Sequence, residues 1–265
     1  MDTDEMRRRS QSFGSVAQTY ADHRPGYPGD AASWLVGDAP GRVLELGAGT
    51  GKLTTSLTAL CRRVVATDPL DAMLQQLRQT APAAAPVVCR AEDIPLPSSS
   101  VDVVVAAQAF HWFDKERALP EIARVLRPGG VLSLIWNVGD QSVPWVRRFM
   151  ELTFVGGEDA GKDPVQDCEL FAPSETQVFR HWQLLHRDSL VGFAASQSQV
   201  AIMNQRERDV LLDKIGALYD SFGRGPDGML LPWRAYAYRA RASGLANATA
   251  GRSDDLDDGL FIDFD

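Results

Sequence analysis

The most specific chemistry in this chain lies in a series of acids and glycines between positions 45 and 93. It opens with Glu45-Leu46-Gly47-Ala48-Gly49-Thr50-Gly51-Lys52, at the end of a short apolar run, RVLEL. Three glycine-loop chemistries compete here. A phosphate-binding GxxxxGK[ST] loop needs glycine five residues before Gly51 and Ser or Thr after Lys52, and the chain has Leu46 and Leu53 there. A dinucleotide GxGxxG fingerprint needs glycine or alanine at the position of Lys52. What remains is an acid followed by GxGxG.

That pattern suits a zwitterionic nucleoside better than a diphosphate. Glycines at 47 and 49 let backbone come close to a ligand. Glu45 repels a pyrophosphate but balances an ammonium or sulfonium. Asp68 ends RRVVATD, where a carboxylate can accept from both hydroxyls of a ribose. Glu92 and Asp93 end PVVCRAED, where an adenine amino group would lie. A ligand touching all three strand ends is a nucleoside with a positively charged amino-acid tail, which describes S-adenosylmethionine.

These residues must be held by strands and helices, and the sequence supplies them in alternation. RVLEL, RRVVATD, PVVCRAED, VDVVVAAQAF and VLSLIWN read as five apolar strands. KLTTSLTAL, LDAMLQQLRQ and residues 114–126 carry helical spacing between them, with Pro69 suited to a first helical position. Asp30–Val36 is a short helix leading in. Further on, Pro144–Phe154 and residues 205–221 read as helices, QVFRHWQLLHRD and MLLPWRAYAYRAR as strands. Pro232 predicts an edge position or a bulge in the last of these. The expected fold is α/β: a Rossmann-like, doubly wound, mainly parallel seven-stranded sheet with helices on both faces and an antiparallel last strand. The expected organisation is a cap segment at 1–40, a cofactor-binding core at 41–137, an acceptor-side region with the last two strands at 138–243, and a disordered acidic tail at 244–265.

VLELGAGTGKLTTSL, VVATDPLDAML, RAEDIPLPSSSVDVVVAAQAFHWFD and RVLRPGGVLSLIWN together resemble the class I S-adenosylmethionine-dependent methyltransferases. They are most similar to the small-molecule branch of ubiquinone/menaquinone-biosynthesis and trans-aconitate methyltransferases, as is FGSVAQTYADHRPGYP. The resemblance implies that Gly47, Ala48, Gly49 and Thr50 meet the methionine part of the cofactor and that Glu45 orients its amino group. It implies Asp68 at the ribose, Pro69 and Leu70 beside the adenine, and Ala91, Glu92 or Asp93 at the adenine amino edge. Relatives often carry Gly-Asp before that Ala-Glu pair, where this chain has Cys89-Arg90. The N-terminal segment, with Tyr20, Arg24 and Tyr27, is expected to fold over the cofactor.

The segment Gln108-Ala109-Phe110-His111-Trp112-Phe113 follows the fourth strand, and ligands of open α/β sheets sit at such carboxyl ends. It is expected to face the transferable methyl group. His111 is the candidate general base there. The competing reading is that His111 and Trp112 only shape the pocket, because methyl transfer from a sulfonium needs mainly proximity. Trp136, Asn137 and Trp145 are expected to wall the acceptor pocket, together with Tyr27. Trp145, Phe149 and Phe154 also fit simple packing. His181 and His186 read as structural.

The 265 residues carry a formal net charge of −8, of which residues 251–265 contribute −5 through six Asp and one Arg. Such a balance argues against a general nucleic-acid binder. Cys61, Cys89 and Cys168 form no CxxC pair, so neither a disulfide framework nor a thiolate zinc site is expected, and no other metal motif appears. No secretory signal and no run of 18 apolar residues is present, which predicts a cytoplasmic protein. Two other functions compete: an NAD-dependent oxidoreductase on the same kind of sheet, opposed by Lys52, and a non-catalytic S-adenosylmethionine-binding protein.

Overall fold

A computed structural model describes residues 23–38, 41–153, 162–222 and 227–244. Tyr20, Phe154 and the tail from residue 245 lie outside them.

The described residues form one seven-stranded sheet in the order β3-β2-β1-β4-β5-β7-β6. The strands are β1 (Arg42–Leu46), β2 (Arg63–Asp68), β3 (Ala85–Val88), β4 (Val101–Ala107), β5 (Leu126–Gly139), β6 (Glu175–Leu185) and β7 (Met229–Arg241). The first five pair in parallel, and β7 runs antiparallel between β5 and β6. Chain order reverses at β1, which is flanked by β2 and β4. Parallel sheets of this kind place ligands outside the carboxyl ends of the strands at that switch point.

Three apolar clusters hold the layers. One face of the sheet buries Val43, Val105 and Ala235 against helix α1 (Gly29–Val36), α2 (Thr54–Leu60) and α3 (Asp71–Thr80) through Leu35, Leu57 and Leu74. The other buries Leu44, Val104 and Leu132 against α4 (Lys115–Val125) through Ala118 and Ile122. This division follows from alternation along each strand, with Val43 and Leu44 facing opposite sides. A third cluster joins α5 (Pro144–Thr153), α6 (Arg187–Ala195) and α8 (Gln205–Phe222) to the ends of β6 and β7 around Phe149, Phe193 and Trp233. Phe149 stacks on Phe193 at 5.5 Å, so the aromatic series in α5 packs a core.

Six expectations about elements need correction. The third strand stops at Val88, and Arg90 to Asp93 form a turn in which the Asp93 amide donates to the Arg90 carbonyl at 3.2 Å. The fourth strand stops at Ala107, because Gln108 takes a left-handed backbone at φ +53°. The fifth strand begins at Leu126, five residues before VLSLIWN, and takes RPGG into its extended chain, where the register with β4 shifts. Helix α3 begins at Asp71, two residues after Pro69. Pro232 lies on β7, between two strands and not at the edge. Its carbonyl faces the β5 side, so its pairing with Trp182 of β6 loses no bond, and the one bond that proline cannot donate is the reciprocal one to Asp140. The β5 pairing ends at Gly139–Trp233, and the Pro232 carbonyl accepts from the Asp140 amide one step beyond. Helix α6 and the short α7 (Ser198–Ala201) lie in a stretch whose spacing gave no helix.

Candidate active site

The glycine loop turns sharply off β1. Gly47, Gly49 and Gly51 all adopt positive φ, of +67°, +56° and +88°. The three glycines have different reasons. A Cβ on Gly47 would sit 2.5 Å from the Ala109 methyl, so this position brings the loop against the segment after β4. A Cβ on Gly51 would press on Leu77 of α3 at 3.2 Å. A Cβ on Gly49 would meet nothing within 4 Å, so its backbone opens onto free space at the strand ends.

Two carboxyl groups underlie this loop. Asp68 Oδ2 accepts from the Gly49 amide at 3.0 Å, and Oδ1 accepts from the Leu70 amide at 2.9 Å. A carboxylate has about four lone-pair positions, so half remain for a ligand. Glu45 is 1% exposed, and its Oε2 accepts from the Thr54 hydroxyl at 2.6 Å. Burial pushes the Glu45 carboxyl up to about 8, opposed by Thr54 and reinforced by Asp68. Burial also pushes Asp68 up to about 6, against the pull of its two backbone donors. A cation placed beside these two acids would favour their ionised forms and lower both values.

The segment after β4 makes a single 3₁₀ turn, Phe110–Trp112. The Trp136 indole donates to His111 Nδ1 at 3.4 Å. Nδ1 therefore presents its lone pair to Trp136, which places the ring proton on Nε2. Glu92 is turned toward this segment. Its Oε1 accepts from the Asp114 amide at 2.8 Å and its Oε2 faces Arg90 Nε at 3.4 Å. Asp93 is exposed beside it and Ala91 is buried.

Asn137 is 2% exposed and bonded on three sides. Its Nδ2 donates to the Gly26 carbonyl at 3.0 Å, its Oδ1 faces His181 Nε2 at 3.0 Å, and its carbonyl accepts from Gln108 Nε2 at 3.0 Å. Arg24 Nε donates to the Ser196 hydroxyl at 3.2 Å and Nη2 to the Ser196 carbonyl at 3.1 Å, with its guanidinium over Phe193. Gln183 Nε2 holds the His23 carbonyl at 2.9 Å. Residues 23–27 are thus laid across the carboxyl end of β5 and tied to β6 and α6.

The geometry groups the expected site residues unequally. Glu45, Gly47, Ala48, Gly49, Thr50, Asp68, Pro69 and Leu70 converge on one cradle, and Ala109 touches it through Gly47. His111, Trp112 and Trp136 adjoin one another, with the His111 and Trp112 rings 4.8 Å apart. Arg24 points to Ser196. Trp145 packs against the third cluster and Tyr27 against the first face. Thr54, His181, Gln183 and Ser196 were not singled out as site residues. Thr54 opens α2 directly after the loop, nine residues beyond Glu45, and a spacing that crosses a loop carries no periodic signal. A cavity of about 180 Å³, lined by Leu35, Gly37, Glu175 and Arg239 among others, opens at the opposite end of the sheet and touches none of these groups. Among the described residues no group of three His, Cys, Asp or Glu side chains could hold a metal ion.

A family model described as a methyltransferase domain matches residues 44–134. An uncharacterized methyltransferase of Mycobacterium tuberculosis is 42% identical over 240 residues, spanning 88% of this chain and 97% of that protein. A solved structure from Anaeromyxobacter dehalogenans, titled as a type II methyltransferase, is 29% identical with a TM-score of 0.64, over 82% of this chain and 97% of the other. A phosphoethanolamine N-methyltransferase of Haemonchus contortus, solved with S-adenosylhomocysteine, shares the fold at a TM-score of 0.53 and 15% identity, over 91% and 60%.

The chain belongs to the class I S-adenosylmethionine-dependent methyltransferases. Its cofactor is S-adenosylmethionine, which sets the oxidoreductase reading aside. Three features of the cradle fit that cofactor: the open side of Gly49, the remaining lone pairs of Asp68, and the Thr50 hydroxyl, buried and without a hydrogen-bond partner among the described residues.

Proposed function

We propose that this methyltransferase acts on a small-molecule acceptor held over the carboxyl ends of β4 and β5. The observation that carries the reading is the junction of His111, Trp112 and Trp136 beside the glycine cradle, roofed by residues 23–27. In this reading Gly47, Ala48, Gly49 and Thr50 hold the methionine part of the cofactor, and Glu45 offsets its ammonium. Asp68 takes the ribose, Pro69 and Leu70 flank the adenine, and Ala91 with Asp93 lies at its amino edge. Glu92 fixes the start of α4 instead of reading the base. Gln108, Ala109, His111 and Trp112 border the reacting centre. Residues 41–137 form the cofactor half and 138–243 the acceptor half, with residues 1–40 as a cap.

The cofactor supplies an electrophilic methyl on a sulfonium. The chain contributes position. Trp136 and Trp112, both half-buried, flank the exposed His111, and the Trp136 bond to His111 Nδ1 directs the Nε2 proton outward as a donor. His111 then orients an acceptor by a hydrogen bond and removes no proton. In-line displacement of this kind draws its rate mainly from proximity and orientation.

An acidic chain suits a small acceptor better than a polyanionic nucleic acid. Three free thiols fit a reducing, cytoplasmic setting. No helix among the described residues is long and apolar enough to cross a membrane. The test is transfer of an isotopically labelled methyl from S-adenosylmethionine into fractionated extract. Label in the small-molecule fraction supports the reading. Label only in protein or nucleic acid contradicts it.

A further inference from the structure

The far edge of the sheet carries an apolar face that methyl transfer does not use. β6 is the edge strand, and it pairs with β7 along all of Glu175–Leu185 without a bulge. Phe179 and Leu185 turn inward and are buried. Val178, Trp182 and Leu184 turn to the other face and are 44%, 62% and 55% exposed. Leu230, opposite Leu184 on β7, is 58% exposed. Arg180 lies between Val178 and Trp182 on that face, exposed and without an ion pair among the described residues.

Edge strands of monomers are normally protected by charged side chains, above all Lys, by Pro, by a bulge or by shortness, and the central charge of this one is the single Arg180. This one has no Lys or Pro, runs for eleven residues, and keeps continuous register. It is built to be paired.

We propose that β6 pairs antiparallel with β6 of a second copy of this chain, about a twofold axis at His181. The sequence is complementary to itself in that register. Val178 then lies opposite the partner's Leu184, and Arg180 opposite the partner's Trp182. Each aliphatic side chain meets an aliphatic one, and each guanidinium meets an indole face. On the other face Phe179 meets the partner's Gln183. Neighbouring registers are worse: an axis at Trp182 sets Arg180 against the partner's Leu184 and Val178 against the partner's His186. An axis at Arg180 sets two guanidinium groups against each other. An axis at Phe179 sets Trp182 against the partner's Thr176 and Leu184 against the partner's Ser174. A twofold contact repeats each pair twice, so a good register is reinforced and a bad one doubly penalised.

Sedimentation velocity of the full chain across the micromolar range tests the pairing. The expected mass is twice that of one chain. The double variant Trp182→Arg, Leu184→Arg is expected to sediment as a single chain while keeping its circular dichroism and its binding of S-adenosylhomocysteine. A single-chain mass for the unaltered protein overturns the proposal, as occupation of the same edge by the acidic tail would produce. So does a folded double variant that stays dimeric. The register is tested by oxidation. A Val178→Cys chain mixed with a Leu184→Cys chain should form a disulfide-linked pair, and neither alone should. The unaltered chain controls for its own Cys61, Cys89 and Cys168. Linkage in either variant alone, or none in the mixture, overturns the axis at His181.

Discussion

The Gly49 amide donates to Asp68 Oδ2 across 3.0 Å, tying the loop after β1 to the end of β2. One carboxylate therefore sets the loop's shape and, in the proposed site, holds the ribose. Asp68→Ala should weaken S-adenosylmethionine binding by more than about tenfold, from loss of charge-assisted hydrogen bonds. Calorimetric titration of the folded variant measures this. Unchanged affinity would remove Asp68 from the site.

Glu45 and Asp68 make binding depend on pH. Their carboxyls are raised to about 8 and about 6 in the free chain, so near neutrality Glu45 holds a proton. A cationic cofactor favours the ionised form, so binding should release a proton and affinity should rise with pH through this window. The apoprotein should behave oppositely. Acids raised above their ordinary values stabilise the fold at low pH, and that contribution is lost as pH rises through about 8. Glu45→Gln should flatten both trends. Titrations in buffers of different ionisation enthalpy, with melting curves of the apoprotein, check the two signs.

His111 offers a donor and not a base in this geometry, because Trp136 occupies Nδ1. His111→Asn should retain methyl transfer to within about tenfold, whereas loss of a general base costs about 100-fold or more. The rate of S-adenosylhomocysteine formation with an active acceptor fraction measures it. A larger loss, with disappearance of a pH inflection near the histidine range, would restore His111 as the base.

Asn137 joins the cap, the loop after β4 and β6 through three bonds. Asn137→Ala leaves the Gly26 carbonyl and His181 without this partner. The expected cost is about 1–3 kcal/mol, seen as a melting temperature lower by roughly 2–10 °C. Limited proteolysis should also cut before α1 faster than in the unaltered chain. An unchanged digestion pattern would show that the cap is held elsewhere.

The parallel half of the sheet was legible because β1, β2 and β4 are largely buried on both faces and read as mainly apolar runs, interrupted inside only by Glu45, Thr67 and Asp102. The cradle was legible because GxGxG needs positive φ, which few residues other than glycine adopt cheaply. The acceptor half was harder. Helix α6 shows only a weak apolar stripe, and its place depends on Phe193 meeting Phe149 and Trp233 from distant parts of the chain. Asn137 read as a pocket wall because sequence shows its position at a strand end, but not that its polar atoms are bonded within the chain. The same limit applied to Glu92, whose partner amide is 22 residues away.

Calorimetry with S-adenosylhomocysteine on the folded chain tests the cofactor cradle most directly. One site per chain is expected, with affinity lost on replacing Asp68 and with heat that changes with buffer as a proton leaves Glu45. A flat titration of well-folded protein at millimolar ligand would contradict the assignment of Glu45, Gly47, Gly49 and Asp68 as the cofactor site.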